Sequence, residues 1–175
     1  KALREGMISV DQGNFPMISI QKAALAQSLA SLLPGDLNCS LFSVMRGEAF
    51  EFACKLARGA TGRKKLLAPD GSWFGQTGFA LTLSERGDKD LYAPLMPAME
   101  IFPVDDPDKT LSMIDQQTAA VLLEPIQVEN GCRAISDETL KAISAKCRQT
   151  GALLVVDETQ TGLGRTGRTF AFESA

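Results

Sequence analysis

Two apolar runs, AAVLLEP over 119–125 and ALLVVDE over 152–158, flank the segment SDETLKAISAKCRQTG over 136–151. Neither run alternates apolar with polar residues, so each is expected to be a strand buried on both faces, as in a parallel sheet covered by helices. The intervening segment has the marks of a covering helix. Ser136 stands at the N-cap position, Leu140, Ile143 and Cys147 recur at inward spacing, and Gly151 closes it.

The rest of the chain continues the alternation. The segment SIQKAALAQSLASLLPGDL predicts an amphipathic helix with Leu25, Leu29, Leu32 and Leu33 on one side, stopped by Pro34 and Gly35. Further strands are expected at Ser40–Val44, Lys64–Ala68 and within MEIFPV, and further helices within MRGEAFEFACKLARGATG, FALTLSE and DPDKTLSMIDQQ. The fold class is therefore α/β, a three-layer sandwich with a mainly parallel sheet. No internal repeat or boundary breaks the chain, so residues 1–175 read as a single domain. The absence of an initial Met and of a closing strand after the last glycine loop suggests a piece of a larger protein.

Charge and residue usage exclude several functions. The 18 basic and 21 acidic residues are interspersed, which leaves no electrostatic footprint for nucleic acid. No apolar run approaches the roughly 20 residues that cross a bilayer, and the N-terminus lacks the apolar core of a signal peptide, so no membrane partner is expected. Cys39, Cys54, Cys132 and Cys147 form no C-x-x-C pair and read as free thiols of a reducing cytoplasm. With no histidine in the chain, Ser-His-Asp triads and histidine metal sites are excluded and no metal is expected. Chemistry must come from other side chains or a cofactor.

The string GLGRTG over 162–167 has the spacing of a dinucleotide-binding turn. It nevertheless follows the last strand instead of the first and leads into RTFAFES, and the chain ends before an acid about 20 residues beyond it could appear to hold a ribose. The residues ahead of it are more informative. Asp157 lies at the carboxyl end of a buried strand, where open α/β sheets bind ligands. It either solvates the strand end with Glu158 or holds a cationic partner such as the protonated ring nitrogen of pyridoxal phosphate.

The strings AAVLLEPIQVENG and GALLVVDETQTGLGRTGRTFAFE resemble the class III aminotransferases of the ornithine, acetylornithine and 4-aminobutyrate type, which are fold-type I pyridoxal phosphate enzymes. LASLLPGDLN, EAFEFACKLARGATGRKK and YAPLMPAMEIFPV are similar to family segments in the same order. The resemblance implies the cofactor-binding large domain of such an enzyme. By position it makes Asp157 the partner of the pyridinium nitrogen and the catalytic carboxylate, and Gln160 the contact to the cofactor's phenolic oxygen. Trp73 becomes the aromatic that stacks on the ring, or else a core aromatic. Glu124 matches the active-site glutamate of the E-P dipeptide. Glu129 matches a glutamate that pairs with a substrate-binding arginine, or else is a solvated loop charge.

Met45, Arg46 and Gly47 fall on the phosphate-binding turn, where the family has a Ser-Gly-Ala or Ser-Gly-Thr string; Met45 there would crowd the phosphate and Arg46 would pair with it. The family's histidine after the stacking aromatic is replaced by Phe74. The Schiff-base lysine of the family lies well downstream of the Q-T-G string, and all nine lysines here precede Asp157. The implied reaction moves an amino group from an amino acid or ω-amine to a 2-oxo acid, in a cytoplasmic homodimer that shares its active site across the interface. The other reading is a catalytically silent relative that keeps the fold as a binding or interaction module.

Overall fold

The computed structural model describes residues 5, 19–85 and 88–174, and the chain forms two compact units, Lys1–Phe42 and Ser43–Ala175. The irregular opening around Gly13 and Pro16 lies outside the described residues.

In the first unit, helix α1 spans Ile20–Leu32. Ser19 caps it, its hydroxyl accepting the Lys22 amide at 3.0 Å, and the helix stops before Pro34 as expected. No side chain of α1 is buried, and Leu25 and Leu32 are half exposed. The expected single apolar side is blurred because alanines at 23, 24, 26 and 30 spread apolar surface around the helix. The strand expected at Ser40–Val44 does not form either: the segment is irregular backbone with a bend at Val44, pairing with no strand among the described residues. An apolar run without a ladder partner leaves its amides unmatched and remains a loop.

The second unit is built on four strands, β1 (Lys65–Pro69), β2 (Met99–Phe102), β3 (Thr118–Leu123) and, later in the chain, β6 (Leu153–Val156). They pair in the order β2-β1-β3-β6, every pair parallel, with Ala120 opposite Leu153 and Leu123 opposite Val156. All six residues of β3 are buried. Helices α2 (Arg46–Thr61) and α3 (Gly78–Leu83) lie on one face, where Phe50, Cys54, Phe79 and Leu83 pack with Leu66, Ala68 and Leu122. On the other face, Leu140, Ile143 and Cys147 of helix α5 (Asp137–Thr150) pack with Leu67, Val121 and Leu123. Helix α4 (Pro107–Met113) lies between β2 and β3 in the chain.

Successive strand residues therefore serve opposite layers, which is the three-layer arrangement expected from the unbroken apolar runs. Each buried leucine contributes roughly 1.5–3 kcal/mol. Capping follows the local sequence. Ser136 Oγ accepts the Thr139 amide, Asp106 accepts the Lys109 amide with Pro107 in the first turn of α4, and Gly151 ends α5. A short antiparallel hairpin, β4 (Ile126–Gln127) with β5 (Arg133–Ala134), was not legible in the sequence, since two-residue strands carry no periodicity. Among the described residues no helix is long and apolar enough to cross a membrane.

Candidate functional site at the strand ends

The parallel sheet brings its carboxyl ends together, and two carboxylates stand there. Glu124 directly follows β3 and Asp157 directly follows β6. The Asp157 amide donates to the Leu123 carbonyl at 2.8 Å, which continues the ladder by one bond and fixes the backbone under both acids. Asp157 Oδ1 accepts the Thr159 amide at 2.9 Å, leaving Oδ2 for another partner.

That partner is Arg46, the first residue of α2. Its Nε donates to Asp157 Oδ2 at 2.9 Å and its Nη2 to Glu124 Oε1 at 2.6 Å. The three side chains are 14%, 9% and 3% exposed in the order Arg46, Asp157, Glu124. The guanidinium also lies over the Trp73 ring, 5.4 Å from its centroid, a cation–π contact. Glu124 uses its second oxygen, Oε2, to accept the Trp73 amide at 2.9 Å. Burial works against the charge on Arg46, yet Asp157 and Glu124 together raise its pKa above the ordinary arginine value. Burial pushes Glu124 up, outweighing the Trp73 amide and Arg46. The indole Nε1 of Trp73 is buried without a hydrogen-bond partner.

A second set of contacts holds these groups in place. Phe74 is fully buried and stacks on Phe50 with centroids 4.4 Å apart, so the residue that replaces the family's histidine is a core residue here. Its amide donates to Ser84 Oγ at 2.9 Å. Glu51 accepts Thr77 Oγ1 at 2.8 Å and the Phe79 amide at 2.7 Å, tying α2 to the start of α3. Gly47 passes close to Thr77: a Cβ at position 47 would stand 2.9 Å from Thr77 Cγ2. Glu51, Thr77 and Ser84 carry no sequence signal of this supporting role. The nearest hint is that Glu51 sits one turn after Gly47 on the same helix.

Arg46, Trp73, Glu124 and Asp157 thus meet, and Gly47 packs beneath the same loop. The Met45 side chain is 61% exposed. Gln160 is half-buried in the turn after Asp157, and no hydrogen bond joins it to this cluster among the described residues. Glu129 is exposed on the turn between β4 and β5 and lines a cleft of about 610 Å³ with Asp70, Ser72, Trp73, Glu85 and Arg133; of the cluster, Trp73 alone is among the residues that line it.

The glycine string does not form a nucleotide turn. The Gly162 amide donates to the Glu158 carbonyl at 2.8 Å, Gly164 to Thr169 at 3.2 Å and Gly167 to Gly164 at 3.1 Å, so these amides are spent within the loop. No α-helix begins at its end. Positive φ values of 89° at Gly164 and 87° at Gly167 show what the glycines do: they let the chain turn sharply after β6.

A doubly covered parallel sheet with two acids and an aromatic at its carboxyl edge defines a ligand-binding α/β domain. The aminotransferase class-III family model matches residues 2–175, and the chain belongs to that family. It is 40% identical over 173 residues to an uncharacterized aminotransferase of Archaeoglobus fulgidus, covering 99% of this chain and 41% of the relative. It is also 40% identical over 153 residues to the acetylornithine aminotransferase of Methanopyrus kandleri, covering 87% and 39%. Among solved structures, the ornithine aminotransferase of Toxoplasma gondii superposes with a TM-score of 0.83 at 27% identity, covering 98% of this chain and 42% of that one; that enzyme is described with partial occupancy of pyridoxal phosphate at its active site. The chain spans about two fifths of the length of these relatives.

Class III aminotransferases depend on pyridoxal phosphate, and the residues here suit that group in kind. A protonated pyridine needs a carboxylate for its N–H and a flat surface for its ring. The planar cation of Arg46 makes both contacts, with Asp157 and Trp73, which shows that one planar cation can satisfy the two together. Among the described residues no side chain caps the N-terminus of α2, a position where backbone amides favour an anion such as a phosphate; Glu48 of its first turn accepts the Val44 amide at 2.8 Å.

Proposed function

We propose that residues 1–175 form the cofactor-binding large domain of a pyridoxal phosphate enzyme that moves an amino group from an amino acid or ω-amine to a 2-oxo acid. The observation that carries this reading is the convergence of Asp157, Glu124 and Trp73 at the carboxyl edge of the sheet in a chain of the class III family. Pyridoxal phosphate, when bound, supplies an electron sink for the pair left when the donor's Cα proton is removed.

The chain's own residues have separate tasks. Asp157, held by the Thr159 amide, keeps the ring nitrogen protonated. Trp73 orients the ring by its face, and Glu124 fixes the Trp73 backbone. The turn Met45–Gly47 would offer the α2 amides to the phosphate, and Gln160, in the turn after Asp157, would contact the ring's phenolic oxygen. Glu129 stands by the neighbouring cleft, where a carboxylate favours a donor with a terminal amine. The lysine that carries the cofactor and moves the Cα proton belongs to a part of the longer protein outside this chain, and the working protein is a cytoplasmic homodimer.

The test is amino transfer by the full-length protein, loaded with pyridoxal phosphate, from a panel of amino acids and ω-amines to pyruvate and 2-oxoglutarate. Turnover with at least one pair is expected; none, in a protein that has taken up cofactor, would remove the catalytic assignment. A silent binding module is the second reading. It is favoured by one observation, the Arg46 guanidinium lying on Asp157. Failure of the full-length protein to acquire visible absorbance on saturation with cofactor would decide for it.

A further inference from the structure

Arg46 replaces a small residue in the turn that the family uses for phosphate, and its guanidinium is not directed to an anion of that kind. It reaches to the strand ends and joins Asp157, Glu124 and the face of Trp73. We propose that Arg46 is an internal competitor for the cofactor's place: its guanidinium holds the ring position while the site is free of cofactor, and pyridoxal phosphate enters only as Arg46 leaves Asp157. This inference rests on the reading of Asp157 as the partner of the ring nitrogen.

The competition follows from shape and charge. Guanidinium and protonated pyridine are both planar cations that aim N–H donors at a carboxylate and lay a face on an aromatic ring. Asp157 has one oxygen, Oδ2, not already engaged by the backbone, and Arg46 Nε takes it at 2.9 Å. Trp73 is within reach of one flat cation at that point, and Arg46 is over it. The oxygen could accept a second hydrogen bond, but two planar cations set on the same oxygen and the same ring face would overlap and repel each other. The contacts are also buried enough to hold: Arg46 is 14% exposed and bridges two acids that are less exposed still. Bridging both at once, Arg46 supplies one positive charge to two neighbouring carboxylates. The apparent affinity for cofactor is then lowered by the fraction of molecules in which Arg46 has already left.

The experiment compares cofactor-free full-length wild type with Arg46→Ala and Arg46→Gln, titrated with pyridoxal phosphate and followed by the visible absorbance of bound cofactor and by thermal melting. Both variants are expected to bind pyridoxal phosphate at least about tenfold more tightly and to associate faster. Their cofactor-free forms should melt earlier than wild type, with the gap closing on loading. Methylguanidinium at millimolar concentration should compete with cofactor in Arg46→Ala and leave wild type unaffected. Arg46→Gln keeps most of the side-chain stem and serves if the alanine variant does not fold. Equal or weaker binding by the folded variants would overturn the inference while leaving the cofactor reading intact. No saturable binding by wild type or either variant would overturn the reading of Asp157, and the inference with it.

Discussion

Arg46 Nε and Asp157 Oδ2 are 2.9 Å apart although the two residues are separated by 111 positions in the chain. One begins helix α2 and the other follows the last described strand of the sheet, so this ion pair joins the two ends of the candidate site. Glu124 closes the cluster from the strand between. Four predictions follow from the way these groups are held.

Asp157→Asn in the full-length protein should keep the fold, since the asparagine carbonyl can still accept the Thr159 amide, but at reduced stability, because the carboxylate oxygen facing Arg46 Nε is lost. If Asp157 has the role proposed for it, the variant would lose the carboxylate that keeps the ring nitrogen protonated, and amino transfer should fall on the order of 10²- to 10³-fold, the scale seen when one electrostatic contact to a transition state is removed. Steady-state turnover beside a circular dichroism spectrum checks both halves; turnover at the wild-type rate would take Asp157 out of the mechanism.

Glu124→Gln should change how stability depends on pH. Burial raises the Glu124 pKa above the ordinary glutamate value, so the folded protein holds that proton at pH values where the unfolded chain has released it. The contribution to stability is complete below the ordinary value and is lost as pH rises through the raised one. Glutamine does not titrate and its carbonyl can still accept the Trp73 amide. Urea unfolding from pH 4 to pH 8, with cofactor absent, should therefore show the variant gaining on wild type as pH rises. A difference that is flat, or that runs the other way, would contradict the assigned direction.

Gly47→Ala tests the close approach beneath the site. The added Cβ would meet Thr77 Cγ2 at 2.9 Å and Oγ1 at 3.0 Å. Thr77 cannot turn away freely, because its hydroxyl donates to Glu51 at 2.8 Å and that acid also holds the start of α3. A loss of about 1–3 kcal/mol in denaturant unfolding is expected, as for other overpacked positions. The double substitution Gly47→Ala with Thr77→Ser should recover part of it.

Thiol reactivity should divide the four cysteines into two pairs. Cys54 and Cys147 are buried, and burial pushes their thiols up to about 12 and about 11. Cys39 and Cys132 are exposed. Brief alkylation of the native protein near pH 8, followed by peptide mapping, should label Cys39 and Cys132 and spare the other two. In denaturant all four should react.

What the sequence determined is the part of the structure that repeats locally. Unbroken apolar runs at 119–125 and 152–158 became β3 and β6; β3 is buried throughout, as a strand covered on both faces should be, whereas β6 stands at the edge of the described sheet with Leu153 exposed and the other three residues half-buried. Ser136, Asp106 and Pro107 set helix starts through bonds that reach only three residues. The strand ends placed Glu124 and Asp157 at one edge for the same reason. Tertiary structure alone decided the rest. The Ser40–Val44 run has strand composition but pairs with no strand among the described residues, and pairing is a property of two segments, not one. The bonds that make the cluster, Arg46 to Glu124 across 78 positions, Trp73 to Glu124 across 51 and Arg46 to Asp157 across 111, depend on where side chains point once the sheet has closed. A 3.6- or 2-residue period carries no record of that direction between distant segments, so the sequence named Arg46 as a partner for phosphate, while packing against two buried carboxylates gave its charge to them.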